Sequence, residues 1–189
     1  MARVIKRVSA VFASGTILYG TTREHKKIIV FDIDNTLIHA KLTKRCDTLN
    51  MKKMPNYDFQ ISLNTEDNDK ETYNVWIRPF ANIVIPLLSN FATCHIYTSA
   101  KQDYADFVLG NMPMKEYFEG IHYYDSWKKF NTKNLSVIPG NNKDKILIDD
   151  RNFNNANDGS LFYHIPSYRV HSNYDCELIK FFLKWMFVL

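Results

Sequence analysis

Residues 26–36 read KKIIVFDIDNT, and this short stretch decides the fold. The run from Lys26 to Ile33, apolar after a basic pair, is typical of a buried parallel strand, because such strands are covered on both faces. Asp32 and Asp34 stand at its end, with a single residue between them. Two carboxylates just past a strand can hold a hard divalent cation and can divide the roles of nucleophile and general acid. A solvated turn is the alternative for this pair.

The pattern beyond this stretch alternates between strands and helices. Two alternating segments around a polar run predict a β-hairpin, and the others show short apolar runs or helical spacing. The predicted elements are a hairpin over 58–63 and 72–77, a helix over 80–91, a strand over 92–97, a helix over 102–109, a strand over 145–148 and a closing helix over 175–189. This order predicts an α/β fold with a doubly wound, Rossmann-like parallel sheet, whose chemistry lies at the carboxyl ends of its strands.

The composition limits the classes of protein to which the chain can belong. With 189 residues, 46% of them hydrophobic and 14% aromatic, the chain predicts one compact domain and excludes a disordered polymer. A net charge of +4 permits an acidic partner but gives no indication of direct nucleic-acid binding. The cysteines Cys46, Cys94 and Cys176 are too far apart for a structural zinc site or a disulfide framework.

Three further groups of polar residues follow predicted strands or stand near them. Thr98 and Ser99 end one strand, where hydroxyls and free backbone N–H groups can bind phosphate; an ordinary helix N-cap is the alternative. Asp149 and Asp150 end another strand. Lys133 can neutralise phosphate charge, although most lysines in a chain of this kind lie on the solvated surface.

Taken together and in this order, these segments are similar to the haloacid-dehalogenase-like (HAD-like) phosphatases. More narrowly, the chain resembles the FCP/small CTD phosphatase branch, also called NLI-interacting-factor-like. Five ordered segments carry the resemblance, which covers roughly residues 26–188: FDIDNTLIH at 31–39, IRPF at 77–80, YTSAKQDYADFVL at 97–109, TKNLS at 132–136 and KILIDD at 145–150. Arg151-Asn152 departs from the Ser-Pro that is common in the family after the acid pair, and Asn35 replaces a frequent Glu.

The resemblance implies a role for each matching residue. Asp32 would attack the phosphorus of a phosphomonoester to form an aspartyl phosphate, and Asp34 would serve as general acid and then as general base. Mg2+ would be held by Asp32, by the backbone carbonyl of Asp34 and by Asp150. The remaining roles are phosphoryl binding by Thr98 and Lys133, orientation of Lys133 or of metal-bound water by Asp149, and support from Thr36 and Ser99.

The lengths between motifs predict that no large cap domain covers the site, because neither interval has room for one. An uncapped site suits a phosphorylated protein or peptide better than a small metabolite. By the resemblance, the hairpin lies beside the active site, and its alternating residues either form an apolar substrate pocket or pack in the core. These residues are Phe59, Ile61, Tyr73 and Val75.

Residues 1–25 form a basic, partly apolar leader ahead of a phosphatase domain over 26–189. The leader is interpreted either as an edge element of the domain or as a targeting or anchoring segment, the one case in which membrane contact is expected. The expected protein is a monomeric, nuclear or cytoplasmic, Mg2+-dependent protein Ser/Thr phosphatase, acting for example on the C-terminal repeat of RNA polymerase II. The alternatives are a binding module similar to the mitochondrial import receptor of this fold, with a mitochondrial or membrane-anchored location, and a small-molecule phosphatase.

Overall fold

The structure is a computed structural model that describes residues 26–43, 55–64, 69–152, 157–170 and 174–188. Two sheets organise it: a five-stranded sheet in the order β6-β5-β1-β7-β8 and a three-stranded sheet in the order β2-β4-β3. The strands are β1 Ile28–Phe31, β2 Ile38–Leu42, β3 Phe59–Asn64, β4 Lys70–Ile77, β5 Thr93–Tyr97, β6 Phe118–His122, β7 Lys145–Asp149 and β8 Leu161–His164. The helices are α1 Ala81–Ser89, α2 Gln102–Gly110, α3 Tyr124–Phe130 and α4 Glu177–Phe187.

Strand β1 is the centre of the larger sheet, in which every pairing is parallel. It lies between β5 and β7, and Ile29, Val30 and Phe31 are fully buried, since residues on both faces of the strand are covered. The predicted doubly wound α/β sheet is therefore confirmed. Because β5, β1 and β7 are adjacent and parallel, their carboxyl ends meet at one edge.

Helices α1 and α4 pack against each other beside this sheet. Helix α1 forms as predicted although it contains Pro86, whose ring nitrogen cannot donate the usual intrahelical bond. Its buried face of Ala81, Val84, Ile85 and Leu88 joins the main core and outweighs that loss.

The predicted hairpin forms from β3 and β4 and gains a third strand that the sequence analysis did not predict. Strand β2 follows the DIDNT segment directly and pairs antiparallel with β4, from Ile38 opposite Ile77 to Leu42 opposite Tyr73. Its residues 38–42 alternate in polarity, which is a signal for a strand, but the partner lies far away in sequence. This three-stranded sheet occupies the interval before α1, where the sequence had predicted the insertion.

Strands β6 and β8 and helix α3 were also missing from the prediction. The two strands lie at the edges of the parallel sheet and are only partly buried, so their apolar patterns are weak. Gly120 in β6 is required by a close approach, because a Cβ there would lie 2.6 Å from Nδ1 of His95 on β5. The need for glycine in this edge strand therefore comes from its contact with the neighbouring strand β5, which the sequence pattern does not show.

Residues 1–25 lie outside the described residues, so the interpretations of the leader and the proposed boundary at residue 26 stay predictions. In the described segments, no helix combines the length and the apolar character that crossing a bilayer requires.

Candidate active site

The carboxyl ends of three adjacent strands bring most of the predicted residues together. Asp32 follows β1, Thr98 follows β5, and Asp149 is the last residue of β7. The backbone N–H of Asp32 donates to the carbonyl of Ile148 at 3.0 Å, which joins the end of β1 to the end of β7. Parallel strand pairing therefore places side chains in one site although more than a hundred residues separate the first from the last.

Lys133 lies at the centre of this site and is almost fully buried. It comes from the loop after α3, and its Nζ donates to Oδ1 of Asp32 and, at 2.5 Å, to Oδ2 of Asp149. A buried ammonium group is tolerated only when it is paired, and here two carboxylates share it. The reading of Lys133 as an ordinary surface lysine does not hold.

Asp32 is itself largely buried, and its protonation depends on opposing neighbours. Burial raises the pKa of Asp32 to about 7, with the negative charge of Asp149 acting in the same direction and the ammonium of Lys133 acting against both. The cation therefore favours the carboxylate form, which is the form that can act as a nucleophile.

Asp34 has a different partner. Its Oδ1 accepts a hydrogen bond from the hydroxyl of Tyr104 in α2 at 2.6 Å. Burial raises the pKa of Asp34, and the Tyr104 hydrogen bond acts to lower it. Burial and the neighbouring Asp34 in turn raise the pKa of Tyr104 well above its usual range, so Tyr104 remains a neutral donor. A carboxyl group with a raised pKa suits proton transfer to and from a substrate.

The segment between Asp34 and β2 is a tight turn. Asn35 adopts a left-handed conformation with φ 59°, and the N–H of Leu37 donates to the carbonyl of Ile33 at 2.8 Å. Thr36 is fully buried, and its Oγ1 accepts a hydrogen bond from the N–H of Asp150 at 3.2 Å. Thr36 thus connects the turn that carries the first acid pair to the second pair, and its supporting role in the reaction stays a prediction.

Arg78 stabilises this turn through its guanidinium group. The sequence analysis assigned it no role, although it belongs to the quoted IRPF segment. Its buried guanidinium donates to the carbonyl of Thr36 at 3.0 Å and makes a bidentate ion pair with Asp175 at 2.9 and 2.8 Å. A third bond reaches the carbonyl of Pro166 at 2.7 Å. The planar guanidinium of Arg78 therefore connects the turn at Thr36 to the segments that contain Pro166 and Asp175.

Three carboxylates can hold a metal ion. One oxygen each of Asp32, Asp149 and Asp150 lies within 4.8 Å of the others. Oδ2 of Asp150 accepts from Ser167, whereas Oδ1 is buried and receives no hydrogen bond from any residue that the structure describes. A hard divalent cation prefers carboxylate oxygens as ligands. The buried Oδ1 of Asp150, which accepts no hydrogen bond from the described residues, and the two neighbouring carboxylates therefore fit such an ion. Asp149 therefore belongs to this carboxylate cluster. The side chain of Asp34 is not part of the cluster and accepts a hydrogen bond from Tyr104 instead.

Thr98 and Ser99 form the third side of the site. Thr98 is buried, its N–H donates to the carbonyl of His122 at 2.9 Å, and its Oγ1 accepts from the N–H of Ala100 at 3.0 Å. The N-cap of α2 is Lys101, so the alternative that these hydroxyls merely cap the helix does not hold.

A cleft of about 240 Å³ lies at the carboxyl ends of these strands, next to the acid residues. The residues that line it are Asp32, Asp34, Ser99, Ala100 and Arg151. Arg151 has an exposed side chain and was noted in the sequence only as a departure from the family pattern. Its position directly after the acid pair was the signal that could have identified it as a candidate.

The four hairpin residues predicted as a substrate pocket separate into two pairs. Ile61 and Val75 are buried in the main core, 3% and 0% exposed, because the hairpin packs this face against the rest of the domain. That is the core role that the sequence left open, and it removes these two side chains from the predicted pocket. Phe59 and Tyr73 are partly buried, and the Tyr73 ring meets the Tyr104 ring edge-on at 6.1 Å. For Phe59 and Tyr73, the role in a substrate pocket stays a prediction.

The fold and the site define the class first: a doubly wound α/β domain with an acid-rich, cation-containing cleft at the carboxyl edge of its parallel sheet. Comparison with known families then gives the family, since the NLI interacting factor-like phosphatase profile matches residues 27–186. The chain belongs to this phosphatase family. A comparison with curated proteins finds no match.

Two solved structures share the fold. One is described as Fcp1, an essential RNA polymerase II CTD phosphatase, and is similar with a TM-score of 0.64 and 18% identity. The other is the fission yeast RNA polymerase II CTD phosphatase Fcp1-R271A bound to beryllium fluoride, with a TM-score of 0.58 and 16% identity. In both comparisons the match covers 86% of this chain and 47% of the other, so this chain spans about half the length of these relatives.

Proposed function

We propose that this protein is a Mg2+-dependent protein Ser/Thr phosphatase that works through an aspartyl-phosphate intermediate. The observation that carries the proposal is the buried Asp32–Lys133–Asp149 group, in which one ammonium contacts both carboxylates and Asp32 also lines the cleft. A phosphomonoester dianion repels a carboxylate nucleophile, so a site that attacks it needs fixed positive charge at the point of attack. Lys133 supplies that charge.

In the first step, a carboxylate oxygen of Asp32 attacks phosphorus in line with the leaving oxygen. Asp34 donates its proton to that oxygen as the bond to phosphorus breaks, and the raised pKa of Asp34 keeps the proton available. The hydroxyl of Thr98, which can donate while it accepts from the N–H of Ala100, binds the non-bridging oxygens together with Lys133.

In the second step, water attacks the aspartyl phosphate and releases inorganic phosphate. Asp34, now a carboxylate, removes a proton from that water, and Tyr104 holds its carboxyl group in place from the other side. One residue therefore serves as acid and then as base.

Asp32 and Asp150, with the backbone of Asp34 or the side chain of Asp149, would hold the Mg2+ ion. When bound, the ion would neutralise carboxylate and phosphoryl charge during attack.

The shape of the site supports the proposed substrate class. Strand-end and loop residues line the cleft, and within the described residues the hairpin packs Ile61 and Val75 into the core. A site of this shape accepts a phosphorylated side chain on a protein more readily than it encloses a metabolite. The fold shared with Fcp1 makes peptides that resemble the C-terminal domain of RNA polymerase II the first candidates, in a nuclear or cytoplasmic monomer.

The test is phosphate release from phosphoserine, phosphothreonine and phosphotyrosine peptides and from p-nitrophenyl phosphate, with Mg2+ and with EDTA. We expect Mg2+-dependent turnover that favours the phosphoserine and phosphothreonine peptides and that falls at least about 10⁴-fold in Asp32→Asn. Trapping of a phosphorylated enzyme in the wild type alone would identify the intermediate. No turnover by a folded wild type on any substrate would overturn the proposal and favour a binding module, whereas preference for small phosphate esters would favour a small-molecule phosphatase.

A further inference from the structure

Arg151 is a cation whose position in the cleft is set by the acid pair. It is the only basic residue among the five that line the cleft, and its side chain is exposed. Its backbone N–H donates to Oδ1 of Asp149 at 2.8 Å, so the chain leaves the site with Arg151 held directly at the rim. Position and exposure together allow the guanidinium to reach a bound substrate.

The two cations of the site differ in exposure. Lys133 is buried, and its ammonium contacts Asp32 and Asp149, next to the point of attack on phosphorus. Arg151 is exposed and lines the same cleft as Asp34. A substrate whose leaving oxygen lies at Asp34 therefore also lies in the cleft that Arg151 lines, where an exposed guanidinium can contact the part of the substrate beyond its phosphate.

The chemistry of the side chain indicates what it recognises there. A guanidinium presents several N–H donors in a planar fork that matches a carboxylate or a phosphate, and such charge-assisted pairs are stronger than neutral hydrogen bonds. The four carboxylates of the site otherwise repel acidic peptides: Asp32, Asp34, Asp149 and Asp150. A cation at the rim offsets that repulsion for one anionic group of the substrate.

We propose that Arg151 is a specificity-determining residue that selects phosphoprotein substrates carrying a second anionic group, a carboxylate or a phosphate, next to the phosphorylated residue. The inference rests on the proposed function, under which a phosphorylated side chain binds in this cleft. It assigns a substrate preference to a residue at which this chain departs from the usual family pattern.

The experiment compares three phosphoserine peptides that differ only in the residues flanking the phosphoserine: Gln, Glu or a non-hydrolysable phosphonate analogue of phosphoserine. We expect kcat/KM of the wild type to be about tenfold higher for the anionic peptides than for the Gln peptide, a preference that decreases with added salt. Arg151→Gln should reduce this ratio towards one, and Arg151→Lys should retain part of it. The Glu and phosphonate arms distinguish a carboxylate from a second phosphate.

Arg169→Gln is the matched control, because Arg169 is also exposed but does not line the cleft, and it should keep the wild-type ratio. An equal loss on all three peptides in Arg151→Gln would mean that Arg151 serves the transferred phosphoryl group, and it would overturn the inference. The absence of any preference in the wild type would do the same.

Failure of the proposed function has a separate signature. If the folded wild type hydrolyses none of these peptides, binding of peptides with a phosphonate at the central position as well, measured by fluorescence anisotropy, decides the inference. A preference for anionic flanks that Arg151→Gln removes would support recognition by Arg151 without turnover. Equal binding of all flanks would refute it.

Discussion

Asp32 and Asp34 are separated by one residue, yet their surroundings are opposite in kind. Asp32 faces a buried cation, Lys133, which it shares with Asp149. Asp34 faces a neutral phenol, Tyr104, at 2.6 Å. A carboxylate that accepts from an ammonium is favoured in its charged form, whereas Asp34 accepts from a neutral hydroxyl, with the positive charges of Lys133 and Arg151 also acting to lower its pKa. The comparison teaches that partners drawn from distant segments assign different chemistry to two identical side chains.

Removal of the cation should have the largest effect on this difference. Lys133→Met leaves Asp32 and Asp149 as adjacent buried carboxylates, and we expect the free energy of unfolding to fall by about 3–5 kcal/mol at neutral pH. Phosphatase turnover should be lost with it. Urea unfolding followed by tryptophan fluorescence measures the first effect, and p-nitrophenyl phosphate hydrolysis the second.

Lys145→Met is the matched control for that variant. Lys145 is also buried, but among the described residues its Nζ donates to neutral oxygens, those of Leu135, Ile138 and Asn142. It should destabilise the fold without abolishing turnover under conditions where the protein is folded. If both variants lose stability but keep activity, the ammonium of Lys133 is structural only.

Asp34→Asn tests the acid side of the comparison. The variant keeps the shape of the side chain and can still accept from Tyr104, but it has no proton to transfer, so we expect kcat on a phosphoserine peptide to fall about 10²–10⁴-fold. The rate of phosphoenzyme formation should fall much less with p-nitrophenyl phosphate, whose leaving group needs no protonation, whereas the second step needs Asp34 as base with either substrate. Equal losses in phosphoenzyme formation from both substrates would contradict the role of general acid.

Asp150→Asn tests the metal cluster. Loss of one charged ligand should weaken Mg2+ binding about 10–100-fold, seen as a higher Mg2+ concentration for half-maximal activity and a smaller thermal stabilisation by Mg2+. Asp144→Asn is the control, because Asp144 pairs with Lys27 at 3.1 Å outside the cluster. An unchanged Mg2+ dependence in Asp150→Asn would remove Asp150 from the ligand set.

Tyr104→Phe should have the smallest effect. It removes the hydrogen bond from Tyr104 to Asp34 and should cost about 1 kcal/mol of stability and up to about tenfold in kcat on phosphoserine peptides. Tyr123→Phe is matched, because the hydroxyl of Tyr123 makes a similar bond to Asp106 at 2.7 Å away from the residues that line the cleft. A larger effect on p-nitrophenyl phosphate than on peptides would argue against positioning of the acid.

Prediction from sequence succeeded where burial leaves a strong local pattern. The strands β1, β5 and β7 are short apolar runs because they lie in the middle of a parallel sheet, and helices α1, α2 and α4 show the spacing of their buried faces. Strands β2, β6 and β8 were not predicted, because partly exposed strands lack continuous apolar runs. For β2 the stabilising partner, β4, begins almost thirty residues later.

The same contrast holds within the site. The positions of Asp32, Thr98 and Asp149 could be predicted, because each stands at the end of a predicted strand and parallel pairing brings those ends together. Tyr104 and Arg78 stand in quoted motifs, but their partners, Asp34 and Asp175, are 70 and 97 residues away. No periodicity reports such pairings.

The sequence by itself determined the class of fold, the family and the edge of the sheet at which the chemistry lies, because these follow from strand order and from residues at strand ends. Only the tertiary structure decided that Lys133 is shared by Asp32 and Asp149, that Tyr104 contacts Asp34, and that Ile61 and Val75 belong to the core. The physical reason is that burial and charge pairing depend on distances between segments, and chain folding sets those distances after local pattern has set the elements.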